Sequence, residues 1–131
     1  MRPPFLLPLA CLATVALMAG CDSPTRPRLP AIVTFAVADE TFRVELDTQA
    51  QLDAAEAARA GTGPKIPNGR IVAGSGVNTG WSWHLEDVEF ADQTIELCDG
   101  RPSDVERAGT AHGGGRYCPC GAVIVAIDGP R

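Results

Sequence analysis

Three cysteines in the last third of the chain could do chemistry, and their spacing limits which kind. Cys98 stands apart, and Cys118 and Cys120 form a Cys-x-Cys pair. His112 lies between Cys98 and this pair in the sequence. Thiolates with an imidazole can bind zinc or Cu(I), and a cysteine activated by a histidine can act as a nucleophile. In an oxidising compartment the default for such cysteines is instead a structural disulfide. The compartment of the protein therefore decides which chemistry is open to these residues.

The first twenty residues predict export. Arg2 is followed by an apolar stretch that begins at Phe5 and ends in Leu-Met-Ala-Gly directly before Cys21. A charged tip, an apolar middle and small residues at the cut are typical of a secretory signal peptide. Pro8 interrupts the stretch, which is also shorter than the roughly 20 residues that a membrane-spanning helix needs. We therefore expect residues 1–20 to be removed.

The cysteine after these small residues resembles the lipobox of bacterial lipoproteins. In that family the thiol is acylated with diacylglycerol, the signal peptide is cut before the cysteine, and the new amine is acylated too. The resemblance implies that Cys21 carries fatty acids such as palmitate and holds the protein on the extracytoplasmic side of a bacterial cell membrane. Residues 22–30, with a proline at every third position, would be an extended tether. A plain secretory signal is the alternative.

Export favours a disulfide over a metal site. We predict a disulfide between Cys98 and Cys118, which would close a glycine-rich loop of about 20 residues and contribute about 3 kcal/mol in the chain-entropy model. Cys120 would then be left over, or would take the place of Cys118. A metal site of Cys98, His112, Cys118 and Cys120 is the alternative. Catalysis would need Cys120 beside His112 or His84, and no spacing supports such a pair, so we predict no enzyme and no cofactor.

Charge and size exclude some partners. Removing residues 1–20 leaves the tether and one modest domain of residues 31–131. The cut takes one basic residue, Arg2, and none of the sixteen acidic ones, so the net charge falls from −5 to −6. Such a balance argues against nucleic acid, which binds clustered positive charge. It also argues against electrostatic docking on anionic lipid, so the acyl chains would hold the protein there alone. We expect a monomer.

Hydrophobic periodicity predicts strands first and then a helix. Residues 32–37 and 42–46 predict two strands around a tight turn, and the second of them alternates cleanly between apolar and polar types. A helix follows, because Thr48 is a good N-cap, Gln51 completes a capping box and Gly61 ends the pattern. The narrow apolar stripe of this helix consists of Leu52, Ala55 and either Ala58 or Arg59.

The second half of the chain predicts short strands and one short helix. The strands are expected at residues 71–73, 81–85, 88–90 and 94–98. A helix from Ser103 to residue 108 would use Ser103 as its cap and Glu106 as its box partner. The apolar run of residues 122–127 predicts a central strand buried on both faces. The predicted fold is therefore α+β, with a small antiparallel or mixed sheet packed against one main helix and stapled by a disulfide.

Two tryptophans are the candidates for binding. Trp81, Trp83 and Leu85 share one face of a predicted strand, and residues 74–80 before it are rich in Gly, Ser and Asn, which is typical of a surface loop. An exposed tryptophan there could anchor a partner, because tryptophan is enriched at interaction hot spots. We therefore predict a binding surface of Asn78, Trp81 and Trp83. The alternative is that the tryptophan pair belongs to the core.

Residues 31–121 also resemble a family of small secreted domains found in bacteria and some eukaryotes. The segments that carry the resemblance are Phe42-Arg43-Val44, the alanine-rich helix, Trp81-Ser82-Trp83-His84-Leu85, Cys98-Asp99 and Cys118-Pro119. Some members carry calmodulin-binding names, but the main predicted helix here lacks the basic face that calmodulin binds. The resemblance implies no activity. The sequence as a whole predicts a lipid-anchored module that binds an unknown protein or small ligand. An envelope enzyme with a Cys/His site and a thiol or metal-binding protein are the alternatives.

Overall fold

The computed structural model describes residues 27–92 and 98–130. In chain order its elements are β1 (Ala31–Val37), β2 (Glu40–Leu46), α1 (Gln49–Ala60), β3 (Ile66–Ala73), β4 (Trp83–Ala91), α2 (Pro102–Ala108), a 3₁₀ segment (Gly109–Gly115), β5 (Arg116–Tyr117) and β6 (Val123–Asp128). They form two three-stranded antiparallel sheets, in the orders β2-β1-β6 and β4-β3-β5. The predicted α+β class is confirmed, with two small sheets in place of one.

Aromatic side chains from the two sheets meet in a shared core. The ring of Phe42 in β2 lies 6.1 Å from that of Trp83 in β4 and 5.3 Å from that of Tyr117 in β5. Phe35 in β1 stacks on Phe42 at 5.1 Å. All four side chains are buried. Because Phe and Trp rings supply much of the apolar area in a domain with few aromatic residues, this cluster is the centre of the fold.

Helix α1 begins and ends where the sequence predicts. The Thr48 hydroxyl accepts from the backbone N–H of Gln51, and the Gln51 side chain accepts from the N–H of Thr48, both at 3.2 Å. Gly61 ends the helix with a φ of 75°, a left-handed conformation that favours glycine. The buried stripe is Leu52, Ala55 and Ala58. Local capping interactions explain why this element was predictable.

Helix α2 starts differently from its prediction. It runs over Pro102–Ala108 with Arg101 as N-cap, and the backbone N–H of Arg101 donates to the Asp104 carboxylate at 2.7 Å. That hydrogen bond lowers the pKa of Asp104. Proline fixes the backbone angle of the first helical turn, which moves the start one residue upstream. Ser103, the predicted cap, instead donates its backbone N–H to the Glu40 carboxylate at 2.8 Å. Neither described helix is long and apolar enough to cross a membrane.

The two strands predicted at residues 81–85 and 88–90 are one strand, β4. A register shift interrupts its pairing with β3, and Asp87 there takes a positive φ of 50°. Such an irregularity breaks the alternation of apolar residues along the strand, and for this reason the sequence predicts two strands. The strand predicted at residues 94–98 lies outside the described residues except for its last position.

β6 is not the central strand that its apolar sequence predicted. It pairs with β1, which lies between it and β2, and the described residues place no strand on its other side. Ile124 and Ile127 pack against the core, whereas Val123 and Val125 are 62% and 51% exposed. The sequence of β6 is apolar on both faces of the strand, but the core covers only one of these faces.

Candidate functional site

The loop over residues 74–82 joins β3 to β4 and is held closed by its own backbone. The N–H of Gly74 donates to the carbonyl of Ser82 at 2.8 Å, which closes the ends of the loop. Within it, the N–H of Asn78 donates to the carbonyl of Ser75, and that of Trp81 to the carbonyl of Asn78. The prediction of a loop here is confirmed. Its conformation is fixed before any partner arrives.

Asn78 is buried, so it cannot be the contact residue that the sequence predicted. Its side chain is 1% exposed. Its Oδ1 accepts from the backbone N–H of Arg43 at 2.8 Å, and its Nδ2 donates to the carbonyl of Trp83 at 2.9 Å. One amide thus joins β2 in the first sheet to β4 in the second. The role of Asn78 is to hold the loop against both sheets.

Trp81 is the partly buried residue of the predicted binding surface, and it packs against the core. Its indole Nε1 donates to the carbonyl of Thr41 at 2.9 Å, and its ring lies 6.2 Å from that of Trp83. Thr41 and Arg43 alternate along β2, the outer strand of the β2-β1-β6 sheet. The side chains of Asn78 and Trp81 therefore satisfy the outward backbone groups of an edge strand, which would otherwise attract another chain.

Trp83 belongs to the core and not to a contact surface. Its side chain is 2% exposed and lies against Phe42 and Tyr117. Its Nε1 is buried and has no hydrogen-bond partner among residues 27–92 and 98–130. The alternative stated for the tryptophan pair is thus correct for Trp83, while Trp81 keeps an exposed edge.

A groove of about 500 Å³ opens beside the loop, between β2 and β4. It is lined by Glu45, Asp47, Gln51, Gly76, Val77, His84, Leu85, Glu86 and Asp87. Arg70 pairs with two of the four carboxylates, those of Glu86 at 2.5 Å and Asp87 at 3.2 Å. These two hydrogen bonds raise the pKa of Arg70, and the bond with Glu86 has the larger effect. The groove is rich in acceptors and suits a ligand with N–H donors or positive charge.

His84 forms the wall between the loop and the groove. Its Nδ1 lies 2.6 Å from the carbonyl of Gly74, and its Nε2 lies 3.3 Å from a carboxylate oxygen of Glu86. The His84 side chain is 24% exposed. Its ring therefore contributes to positioning the loop.

The disulfide joins Cys98 to Cys120, with Cα atoms 5.3 Å apart, and not Cys98 to Cys118. Asp99 and Cys118 lie opposite each other, because the N–H of Asp99 donates to the carbonyl of Cys118 at 3.3 Å. The N–H of Cys118 donates in turn to the Asp99 carboxylate at 2.7 Å. This alignment puts Cys98 opposite Pro119. A turn starts at Pro119, whose carbonyl accepts from the N–H of Ala122, and it brings Cys120 to Cys98. Cys118 is buried, at 8% exposed.

Residues 30–130 match the family model described as the BP-74 N-terminal domain. The match covers every described helix and strand. The chain belongs to this family. No curated protein matches the chain, and no solved structure does. The match to the BP-74 N-terminal domain begins at the residue directly before β1.

The BP-74 N-terminal domain does not bring the predicted nucleophile pair or metal ligands together as thiolates. The sulfur of Cys120, which both alternatives need, is bonded to Cys98. His112 packs edge-on against Tyr117 at 6.1 Å, and its Nε2 lies 3.5 Å from the Asp99 carboxylate. Over residues 27–92 and 98–130, no three His, Cys, Asp or Glu side chains are grouped to hold a metal ion.

The sequence missed the groove in the BP-74 N-terminal domain. Its acidic residues come from β2, from the start of α1 and from β4, and each reads on its own as a solvated polar position. The alternation of β2 did place Glu45 on the exposed face. Nothing local indicates that Glu45 and Glu86, 41 residues apart, face the same cavity, because only the packing of the two sheets brings them together.

Proposed function

We propose that the protein is a lipid-anchored envelope protein whose BP-74 N-terminal domain binds a protein or small ligand. The anchor would be Cys21, because small residues precede it directly and a proline-rich tether follows it. More than one acyl chain would make the attachment stable. The family match supports this arrangement, since the domain starts nine residues after that cysteine. The anchor displays the domain outside the membrane, and the domain supplies the contact.

The observation that carries the binding proposal is the ordered loop on which Trp81 stays partly accessible. Side-chain and backbone hydrogen bonds to both sheets order the loop in advance. A contact surface that is already ordered loses little conformational entropy when a partner binds. A tryptophan adds a large, stiff apolar surface with few rotatable bonds. We infer that the exposed edge of Trp81 is the main contact.

The groove beside the loop indicates the chemistry of the partner. Glu45 and Asp47 face it in addition to the two carboxylates that Arg70 holds. A ligand or peptide with amine or guanidinium groups would find acceptors there. Binding is the function that the ordered loop and the acceptor-rich groove support best.

Site-specific cross-linking tests the binding proposal in the organism that carries the gene. A photo-reactive amino acid replaces Thr79, an exposed residue of the loop, and in a matched strain Thr110, an exposed residue of the 3₁₀ segment. We expect a cross-linked product from position 79 and none from position 110. Adding Trp81→Ala should reduce the product at least tenfold, because the main apolar contact is lost.

Trp81→Phe is the control for this experiment. Phenylalanine keeps an aromatic surface and removes the hydrogen bond to Thr41, so the product should persist at a reduced level. Thermal unfolding of each variant would show that the domain remains folded. Equal products at positions 79 and 110, or a product that Trp81→Ala leaves unchanged, would contradict the proposed contact surface.

A further inference from the structure

The outward side of β6 carries apolar side chains that the core does not explain. Val123 and Val125 are the large hydrophobic residues that stand exposed in residues 27–92 and 98–130. The residues on the inward side, Ile124 and Ile127, already pack against the core. Exposed apolar side chains that lie together can mark a contact with a partner or a membrane, and scattered single ones do not. Val123 and Val125 are two residues apart on one strand, so what surrounds them decides whether they belong to such a contact.

The neighbours of these two valines extend the patch and give it positive charge. Across the sheet, Val123 pairs with Ala36 and Ala126 with Thr34, so the outward face here is uncharged. Beside Val123 lies a shallow groove of about 300 Å³ to which Arg59 and Lys65 contribute the charged side chains. Both cations are exposed. An acidic protein thus places two cations next to its exposed apolar residues.

One carboxylate lies on the same strand. Asp128 ends β6 opposite Ile32, five residues from Val123. At about 3.3 Å per residue, it stands about 17 Å from the cationic end of the patch. The cations and the carboxylate are therefore at opposite ends of the strand.

The tether enters the domain along the end of β6. A Cβ atom built on Gly129 would lie 3.0 Å from the backbone nitrogen of Arg28 and 3.6 Å from the Cα of Pro27. Six residues separate Cys21 from Pro27, and an extended chain of that length spans at most about 20 Å. Acyl chains on Cys21 would thus keep the lipid surface within about 20 Å of the Asp128 end of β6.

We propose that the outward face of β6 rests on the lipid surface, with Val123 and Val125 in the interfacial region and Arg59 and Lys65 at lipid phosphates. The proposal rests on the anchor proposed above. Apolar residues flanked by cations are the composition that binds anionic membrane interfaces. The net charge of the whole protein opposes such binding, but the anchor removes the need for the domain to find the membrane by itself.

The proposed binding loop lies at the other edge of the same sheet. In the β2-β1-β6 sheet, β6 is at one edge and β2 at the other. Residues 74–82 cover the outer edge of β2 through Asn78 and Trp81. The proposed lipid contact and the proposed binding loop are therefore separated laterally by two strand spacings, about 10 Å.

Partition into vesicles tests the contact with a deliberately weak anchor. The chain from Cys21 to its end, which contains every described helix and strand, is joined at Cys21 to a single hexadecyl chain through a maleimide. One such chain gives only marginal binding, so a second contact becomes measurable. Binding to vesicles of phosphatidylcholine, with and without phosphatidylglycerol, is followed by co-sedimentation. We expect Val123→Ser with Val125→Ser to weaken binding about tenfold in both.

Matched variants separate this contact from nonspecific adsorption to the vesicles. Ala108→Ser with Ala111→Ser, two exposed positions outside this sheet, should leave binding unchanged. Lys65→Glu should remove the gain that phosphatidylglycerol gives, because it replaces a cation by an anion. Binding by the double valine variant equal to that of the unsubstituted chain would overturn the proposal.

Two further outcomes have a defined meaning. A dimer in the absence of vesicles that the valine substitutions dissociate would also overturn the proposal, in favour of a second copy of the chain on β6. Since the acyl chain is attached chemically, failure here says nothing about lipidation in the cell. Labelling of Cys21 with palmitate tests that step separately.

Discussion

Replacing Trp83 with alanine is expected to lower the free energy of unfolding by about 3–5 kcal/mol. The ring is 2% exposed and lies between Phe42 and Tyr117, so its loss leaves a cavity at the centre of the core. Such a loss is a large part of the stability of a domain of this size. Urea unfolding followed by far-UV circular dichroism gives the free energy for each variant.

Trp81→Ala is the matched control, since it removes the same side chain two residues earlier. Trp81 is only partly buried; it gives up one hydrogen bond, to Thr41, and part of its packing against the core, so we expect a loss of about 1–2 kcal/mol. Trp83→Phe should cost less than Trp83→Ala, because it keeps a ring and removes a buried N–H that has no acceptor. A loss at Trp81 as large as at Trp83 would contradict the assignment of Trp81 to a contact surface.

Cys120→Ser is expected to destabilise the oxidised domain by about 3 kcal/mol, because it opens the loop that the Cys98–Cys120 disulfide closes over 22 residues. Cys118→Ala is the control, and the structure predicts a smaller loss of about 1 kcal/mol for a small buried side chain outside the disulfide. Unfolding with and without a reductant separates the two effects. In the presence of the reductant, the difference in free energy of unfolding from the unsubstituted domain should vanish for Cys120→Ser and persist for Cys118→Ala.

Peptide mapping without reduction gives an independent answer on the pairing. A linked peptide that contains Cys98 and Cys120 is expected. Trypsin cuts after Arg116, which leaves Cys118 and Cys120 in one peptide, so a second cleavage between them is needed to tell them apart. A link from Cys98 to Cys118 would show that the alignment at Asp99 is wrong.

Elements whose signals are local were predictable from the sequence. The N-cap Thr48, its partner Gln51 and the terminating Gly61 lie within one segment, and α1 has these boundaries. Alternation in β1 and β2 likewise reports their inward faces directly. The prediction of a central strand at β6 was wrong, because an apolar sequence indicates that both faces of a strand are apolar but does not indicate whether both are covered.

The candidate site was predictable only in part, because its contacts are distant in sequence. The Gly, Ser and Asn content of residues 74–80 correctly indicates a loop. It does not indicate that Asn78 turns inward, because the N–H that donates to its Oδ1 belongs to Arg43, 35 residues away. The choice of Cys120 over Cys118 depends on the turn in which the N–H of Ala122 donates to the carbonyl of Pro119. Each error comes from tertiary packing that residue type alone does not encode.

Labelling of Cys21 tests the central claim, that this domain is displayed on a membrane by a lipid. The full chain is expressed in a bacterial host with labelled palmitate, beside Cys21→Ser and the matched control Cys11→Ser, whose cysteine lies in the predicted signal peptide. The account predicts label and detergent-phase partition for the unsubstituted chain and Cys11→Ser, and neither for Cys21→Ser. An unsubstituted chain that takes no label and partitions into the aqueous phase would contradict it.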